Sequence, residues 1–389
     1  MLVFNRMEPL VKRNFWINLI EKSWEHRSIT WLSGVRRSGK TSLTQTLDQI
    51  EYFDCELPRT RQMMAEPEGF LTSLDGHRII LDEIHRLRAP AELLKIAADH
   101  FPKIKVLATG SSTLGASRKF RDTLTGRKTN LWLTPMIQED LAHFPQSDLT
   151  HRLRFGGLPP FFLNTKIPEK DFQEWLDDYW AKDIQDLFRL NRRDSFQRFA
   201  ELVMARSGGI FEATRFTAEC EVSRVTIRNY LRVLEETLIA HVIRPFNSHK
   251  SNEIIAAPKV YAFDTGFVSY HKGWNDLRNE DLGLLWEHYV LNELQAHLQT
   301  RDIRYWRDKQ GHEIDFILAS RHQPPTVIEC KWNSNGLDPK NILIFRRQYP
   351  HGKNFVVCSN IDRSYIQKHG VMSIHLLSLK DLIKNFVSS

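Results

Sequence analysis

Two stretches of this chain carry residues that do phosphate chemistry at the spacing the chemistry needs. Residues 34–42, GVRRSGKTS, fit the phosphate-loop pattern G-x-x-x-x-G-K-[ST] at every fixed position. Gly34 and Gly39 permit a tight turn, so that the N–H groups of Val35, Arg36, Arg37 and Ser38 converge on a phosphate. Lys40 is expected to reach the β- and γ-phosphates of ATP. The Thr41 hydroxyl, with Ser42 beside it, is expected to meet Mg²⁺. The second stretch is residues 77–83, HRIILDE, an apolar run that ends in two carboxylates. Asp82 is expected to hold Mg²⁺ through water, and Glu83 to orient and polarise the attacking water.

Both stretches need a particular frame. Residues 28–33 are short, apolar and partly β-branched, which predicts a buried strand, and helical spacing follows from Thr41 through residue 50. A helix beginning at Lys40 would add its positive dipole end to the loop. Residues 51–56, 77–83, 104–109 and 129–133 read as further strands, residues 9–25 and 89–100 as helices. Ligands in open α/β sheets bind at the C-terminal ends of the strands, where Asp82 and Glu83 would stand. The strand 104–109 runs into Thr109-Gly-Ser-Ser. Ser111, and after it Thr109, is placed to touch the γ-phosphate or the water; a polar strand cap explains the same pattern. Arg118, Arg121 and Arg127 follow, any of which could serve as a finger on a neighbouring subunit's ATP or lie solvated. A finger requires a partner copy, so a homo-oligomer goes with that role.

Composition sets the outer limits. A chain of 389 residues with 41% hydrophobic content suffices for two or three domains, each with a core. A formal charge of +7 favours a polyanionic partner. Cys55, Cys220, Cys330 and Cys358 are far apart, which argues against a disulfide framework or a zinc knuckle and suits a reducing cytosol. The first residues lack the apolar core of a signal peptide, and no apolar run approaches membrane-spanning length, so a cytoplasmic location without membrane contact is expected.

The spacing of GVRRSGKT, LDEIHRL, ATGSS and LTGR resembles prokaryotic AAA-type ATPases of the additional-strand, catalytic-glutamate class, in particular a group that pairs this ATPase with an uncharacterised C-terminal region. FGGLPP at residues 155–160 looks like that group's GG-x-P lid element. The resemblance implies that Gly157 and Pro159 approach the adenine base. The Trp-rich amphipathic stretch 170–190 suits a helical lid.

Residues 195–245 read as helix, Gly208-Gly209 break, short helix 211–219 and a third helix 224–238 with Ser223 as its N-cap. Ile227, Leu231, Leu234 and Leu238 form its apolar stripe. Arg224, Arg228 and Arg232 recur every fourth residue on another face. With strands at 239–244 and 259–263 this is the pattern of a winged helix-turn-helix, its arginines aimed at DNA phosphates. A solvated face or a subunit contact would show the same arginines.

From residue 281 the pattern is helix, three strands, helix, strand. Glu287 interrupts the apolar line of the helix 282–298, which is costly unless the carboxylate is paired or binds metal. Glu329 and Lys331 share a face of one strand, and Asp315 lies on the strand before it. This order resembles the PD-(D/E)xK nuclease core, with Ile314 where the proline would stand. The resemblance implies that Asp315, Glu329 and Glu287 hold Mg²⁺ and that Lys331 acts on water or the transition state.

The expected fold class is therefore α/β: a P-loop NTPase parallel sheet with a helical lid, then a winged helix-turn-helix, then a restriction-endonuclease-like α/β domain. The expected boundaries are 1–145, 146–194, 195–280 and 281–389. The expected function is ATP hydrolysis coupled to DNA remodelling or translocation, with a C-terminal domain that cuts or grips DNA. The alternative is a nucleotide-switched DNA- or protein-binding module.

Overall fold

The computed structural model describes residues 10–110, 118–144, 146, 148–185, 192–247, 257–320 and 323–387. Its first sheet has five parallel strands: β1 (Ile29–Ser33), β2 (Glu51–Asp54), β3 (Arg78–Asp82), β4 (Lys105–Thr109) and β5 (Lys128–Trp132). Their order is β2-β3-β4-β1-β5. The middle strands β1, β3 and β4 are buried along nearly their whole length, as parallel strands covered on both faces must be. One core gathers Ile29 and Trp31 from β1, Ile79 and Leu81 from β3, Val106 and Ala108 from β4, and Leu93, Leu94 and Ala97 from the helix Pro90–His100. Parallel pairing brings Asp54, Asp82 and Thr109 to one edge of the sheet, along with the loop that leaves β1.

The helix after the phosphate loop is shorter than the spacing predicts. It spans Lys40–Thr44 and does not run on to residue 50. Thr44 and Thr46 turn their hydroxyls back onto the carbonyls of Thr41 (2.8 Å) and Leu43 (2.7 Å). Such back-bonding by β-branched residues competes with helix propagation, and a five-residue helix adds little dipole. The predicted lid helix is Glu169–Tyr179 and continues as a π-helical turn, Trp180–Ile184.

The second sheet has nine strands: β6 (Gly209–Ile210), β7 (Ala240–Pro245), β8 (Lys259–Ala262), β9 (Ile303–Arg307), β10 (Glu313–Leu318), β11 (Thr326–Lys331), β12 (Asn354–Cys358), β13 (Tyr365–His369) and β14 (Met372–Leu377). Their order is β13-β14-β12-β11-β10-β9-β7-β8-β6. One sheet thus runs across the expected boundary at residue 280. Strand β7 pairs in parallel with β9, Arg244 opposite Arg304 and Pro245 opposite Tyr305, and so closes an edge that each half would leave open. The chain divides by contact into two compact units, Met1–Asp148 with Leu158–Pro160 and Asp177–Arg189, and Leu149–Gly157 with Phe161–Leu176 and Leu190–Ser389.

Within the second unit the helices Arg193–Ala205, Thr214–Cys220 and Arg224–Glu236 precede the antiparallel pair β7–β8. Ser223 caps the third helix by accepting the Thr226 N–H, and Ile227, Leu231, Leu234 and Leu238 are buried as the stripe predicts. Among the described residues no helix is long and apolar enough to cross a membrane.

Candidate active site

The phosphate loop is shaped by its two fixed glycines. A Cβ on Gly34 would lie 2.7 Å from the Leu133 carbonyl oxygen, so no larger residue fits beside the end of β5. Gly39 has φ +90°, a left-handed conformation that glycine adopts without strain. The loop is braced from behind by Arg13, which donates to the Ser38 carbonyl at 3.0 Å and pairs with Asp140 at 2.6 Å. Arg13 and Asp140 are both buried, so removing either would leave the other charge uncompensated away from water. Nothing in the sequence pattern singles either out.

At the sheet edge the side chains converge on Asp82. Its Oδ2 accepts from the Thr41 hydroxyl at 2.9 Å and from Tyr52, and its Oδ1 accepts from Thr109. The Thr109 hydroxyl oxygen in turn accepts the Glu83 N–H at 3.2 Å. Thr109 thus ties the two acidic positions together, while Ser111 lies outside the described residues. Burial, with the Asp82 carboxylate next, pushes the Tyr52 hydroxyl's pKa far up, so it stays a donor. A hydroxyl and a carboxylate meeting at one point supply the hard oxygen donors Mg²⁺ takes, so Thr41 and Asp82 fit that ion.

Glu83 has φ +51°, uncommon for a residue with a side chain and a form of local strain. Its Oε2 lies 3.1 Å from His85 Nδ1. Burial opposes its ionisation, but the His85 hydrogen bond and the Lys40 charge outweigh burial and hold its pKa below the usual carboxylate range. Lys40 donates to the carbonyls of Gly34 (2.9 Å) and Val35 (3.1 Å). Burial lowers its pKa, and Glu83 and then Asp183 pull it back. The loop arginines face carboxylates at the end of the helix Glu169–Tyr179 and in the turn that follows it. Arg36 Nε is 3.1 Å from Asp183 Oδ2, and Arg37 Nη2 is 3.7 Å from Asp178 Oδ2.

The remaining expected residues are distributed as follows. Pro159 is beside the loop: a Cβ built on Gly39 would be 3.7 Å from its Cγ. Gly157 donates its N–H to Asp264 Oδ2 at 2.6 Å, and a Cβ there would lie 2.3 Å from Arg152 Nη2. The amide expected beside adenine is therefore committed to Asp264. Arg127 donates from Nε to Asp99 Oδ1 at 2.7 Å, so this arginine is held within its own chain. Arg118 and Arg121 are in the helix Arg118–Thr123. Arg224, Arg228 and Arg232 are all exposed, together with Val225 at 67%.

In the C-terminal sheet Asp315, Glu329 and Lys331 come together as predicted. Lys331 Nζ donates to Glu329 Oε2 at 3.0 Å, and Asp315 Oδ2 accepts the Cys330 N–H at 2.8 Å. Glu329 Oε1 is buried with no hydrogen-bond partner. Burial, then the nearby Asp315, pushes the Glu329 pKa well up. Glu287 is taken up differently: Lys259 Nζ lies 2.9 Å from its Oε1, and the Tyr261 hydroxyl donates to the same oxygen. Among the described residues no three or more His, Cys, Asp or Glu side chains are placed to hold a metal ion, Glu287, Asp315 and Glu329 included.

Comparison with known proteins agrees with the first sheet. A family model described as an AAA domain matches residues 26–142. Two models described only as domains of unknown function match residues 146–278 and 282–379. Uncharacterized proteins of Mycobacterium tuberculosis and Mycobacterium bovis are each 26% identical over 327 residues, covering 81% of this chain and 73% of theirs. Among solved structures, a Walker-type ATPase of Pyrococcus abyssi covers 68% of this chain and 99% of its own at 15% identity, with a TM-score of 0.44. A signal-transduction ATPase of Pyrococcus horikoshii with a tetratricopeptide-repeat sensor covers 75% and 48% at 14% identity, with a TM-score of 0.31. The parallel sheet, the glycine loop and the Asp82 cluster make the first unit a P-loop ATPase fold.

Proposed function

We propose that the chain binds ATP with Mg²⁺ at residues 34–42, hydrolyses it, and couples turnover to work on DNA. The observation that carries the reading is the convergence of Thr41, Asp82, Thr109 and Glu83 at the edge of a parallel sheet, beside a phosphate loop. Mg²⁺ would neutralise charge on the β- and γ-phosphates. Lys40 exchanges the carbonyls of Gly34 and Val35 for phosphate oxygens. Asp82 and Thr41 face the cation, with Tyr52 and Thr109 fixing the carboxylate's orientation. Glu83, ionised and half-buried, accepts a hydrogen bond from the attacking water and aims it at the γ-phosphorus. His85 is a positioning residue that must release or follow the Glu83 carboxylate for this.

The DNA half of the proposal rests on the +7 charge and on three exposed arginines along one capped helix of a helix-turn-helix with an antiparallel strand pair after it. This segment is read as a winged helix. Replacing Arg224, Arg228 and Arg232 with Ala is expected to weaken duplex binding. The slope of log affinity against log salt should also fall, by about one for each arginine–phosphate pair removed. Fluorescence anisotropy across a salt series measures both, and an unchanged slope would move DNA binding off this helix. ATP turnover should rise with at least one of duplex, single-stranded or branched DNA. No rise with any of them would favour a nucleotide-switched binding module. For the C-terminal unit the lysine pairing of Glu287 weighs against cleavage and leaves gripping of DNA as its reading.

A further inference from the structure

The acidic cluster of the second unit contains a cation that is part of the chain. Lys259 is on β8, 4% exposed, and its ammonium lies 2.9 Å from Glu287 Oε1 and 2.8 Å from Glu313 Oε1. Glu287 comes from the helix Asn279–Leu298 and Glu313 from the start of β10, so one ammonium bridges three elements. The second oxygen of Glu313 meets Arg307 Nη1 at 3.5 Å, and the Tyr261 hydroxyl also donates to Glu287. These two carboxylates therefore face two cations and are balanced without any ion from solution. Lys259 belongs to the segment before residue 280, and only the sheet that runs from β8 through β7 to β9 and β10 brings it here.

We infer that the Lys259 ammonium takes the place of a divalent cation between Glu287 and Glu313, so that the C-terminal acidic cluster is a metal-free site. A buried ammonium displaces a hard cation because the two compete for the same carboxylate oxygens, and both cannot be held within about 3 Å of them without strong repulsion. Asp315 and Glu329 remain: Asp315 accepts the Cys330 N–H, Lys331 donates to one oxygen of Glu329, and the other oxygen, Oε1, is buried without a hydrogen-bond partner. Two carboxylates with a lysine already on one of them leave a poor site for a twofold positive ion. The inference goes beyond the ATPase reading and is independent of it, since the P loop belongs to the other unit.

The test titrates Mn²⁺ into the full-length, nucleotide-free chain, following free ion by electron paramagnetic resonance and stability by thermal melting. Wild type, Asp315→Asn and Glu287→Gln are expected to bind the same amount of Mn²⁺, because any ion they hold sits at Thr41 and Asp82. Lys259→Met is expected to melt earlier, to bind one further Mn²⁺ per chain, and to regain melting temperature as Mn²⁺ is added, whereas the wild-type curve does not move through this site. Mn²⁺ binding by wild type that Asp315→Asn or Glu287→Gln removes would overturn the inference. That comparison decides the matter even if Lys259→Met does not fold. ATP turnover, measured alongside, reports on the P loop alone, so failure of one reading is separable from failure of the other.

Discussion

Glu83→Gln is expected to leave ATP binding intact and to slow turnover by about 10²–10⁴-fold, the usual contribution of a positioned general base. The amide matches the carboxylate in size and can keep the residue 83 backbone at its φ of +51°. It carries no charge, so it loses the basicity that polarises water. It also puts a neutral amide where the carboxylate meets His85 Nδ1, 3.1 Å away in the wild type. Binding is expected to survive because Lys40, Thr41 and Asp82, the groups proposed to face phosphate and cation, are untouched. Equilibrium binding of a fluorescent ATP analogue and single-turnover phosphate release measure the two halves separately. Turnover equal to wild type would remove Glu83 from the mechanism.

Arg152→Leu is expected to destabilise the second unit by about 3–5 kcal/mol, the cost of leaving one partner of a buried ion pair alone. Arg152 is 1% exposed, donates to the Thr265 hydroxyl at 2.9 Å, lies 3.8 Å from Asp264 Oδ2 and stacks over the Tyr289 ring. Asp264 is equally buried and receives the N–H groups of Gly157 and Gly266. Burial raises the Asp264 pKa, and Arg152 is the largest influence holding it down. Removing the arginine raises it further above the unfolded value. A raised folded pKa means the cost is absent below the unfolded pKa, where the acid is protonated in both states, and fully present above the folded pKa. The deficit of the variant should therefore be larger at pH 7.5 than near pH 4, as urea midpoints at about those two pH values would show. A deficit independent of pH would place the loss in packing and not in the ion pair.

The parts of this molecule that follow local rules are legible in its sequence. The strand before the phosphate loop, the acid-terminated strand β3 and the Ser223-capped helix each announce themselves through apolar period, glycine placement or a capping side chain. The helix after the loop misleads because its apolar spacing continues while Thr44 and Thr46 divert backbone carbonyls. Strand β13 gives no sign, since its residues YIQKH are almost all exposed and carry no inward-outward alternation. The site residues missed are those whose role depends on distant partners. Tyr52 matters only because β2 pairs with β3 in a register that puts it near Asp82, and Arg13 only because Asp140 returns to the loop from 127 positions on. Gly157 is expected near the nucleotide only through the family resemblance. In the fold Gly156 and Gly157 make room for Asp264 and Arg152, with a Cβ on Gly156 only 1.9 Å from Asp264 Oδ1. The same limit applies at the expected boundary of 280, which the pattern of elements suggests and across which the pairing of β7 with β9 carries the sheet.

The proposed binding of ATP phosphates at residues 34–42 is expected to turn on Lys40. Its ammonium is half-buried and held by the carbonyls of Gly34 and Val35; burial lowers its pKa, and Glu83 and Asp183 pull it partly back. A triphosphate carries full negative charge where a carbonyl carries a partial one, and would draw it away. Calorimetric titration of ATP in the presence of Mg²⁺ into wild type and Lys40→Ala measures this directly. Saturable binding by wild type, with no saturation by Lys40→Ala over the same range, is the predicted result. Equal affinity in the two proteins would contradict the phosphate-loop assignment and the ATPase reading with it.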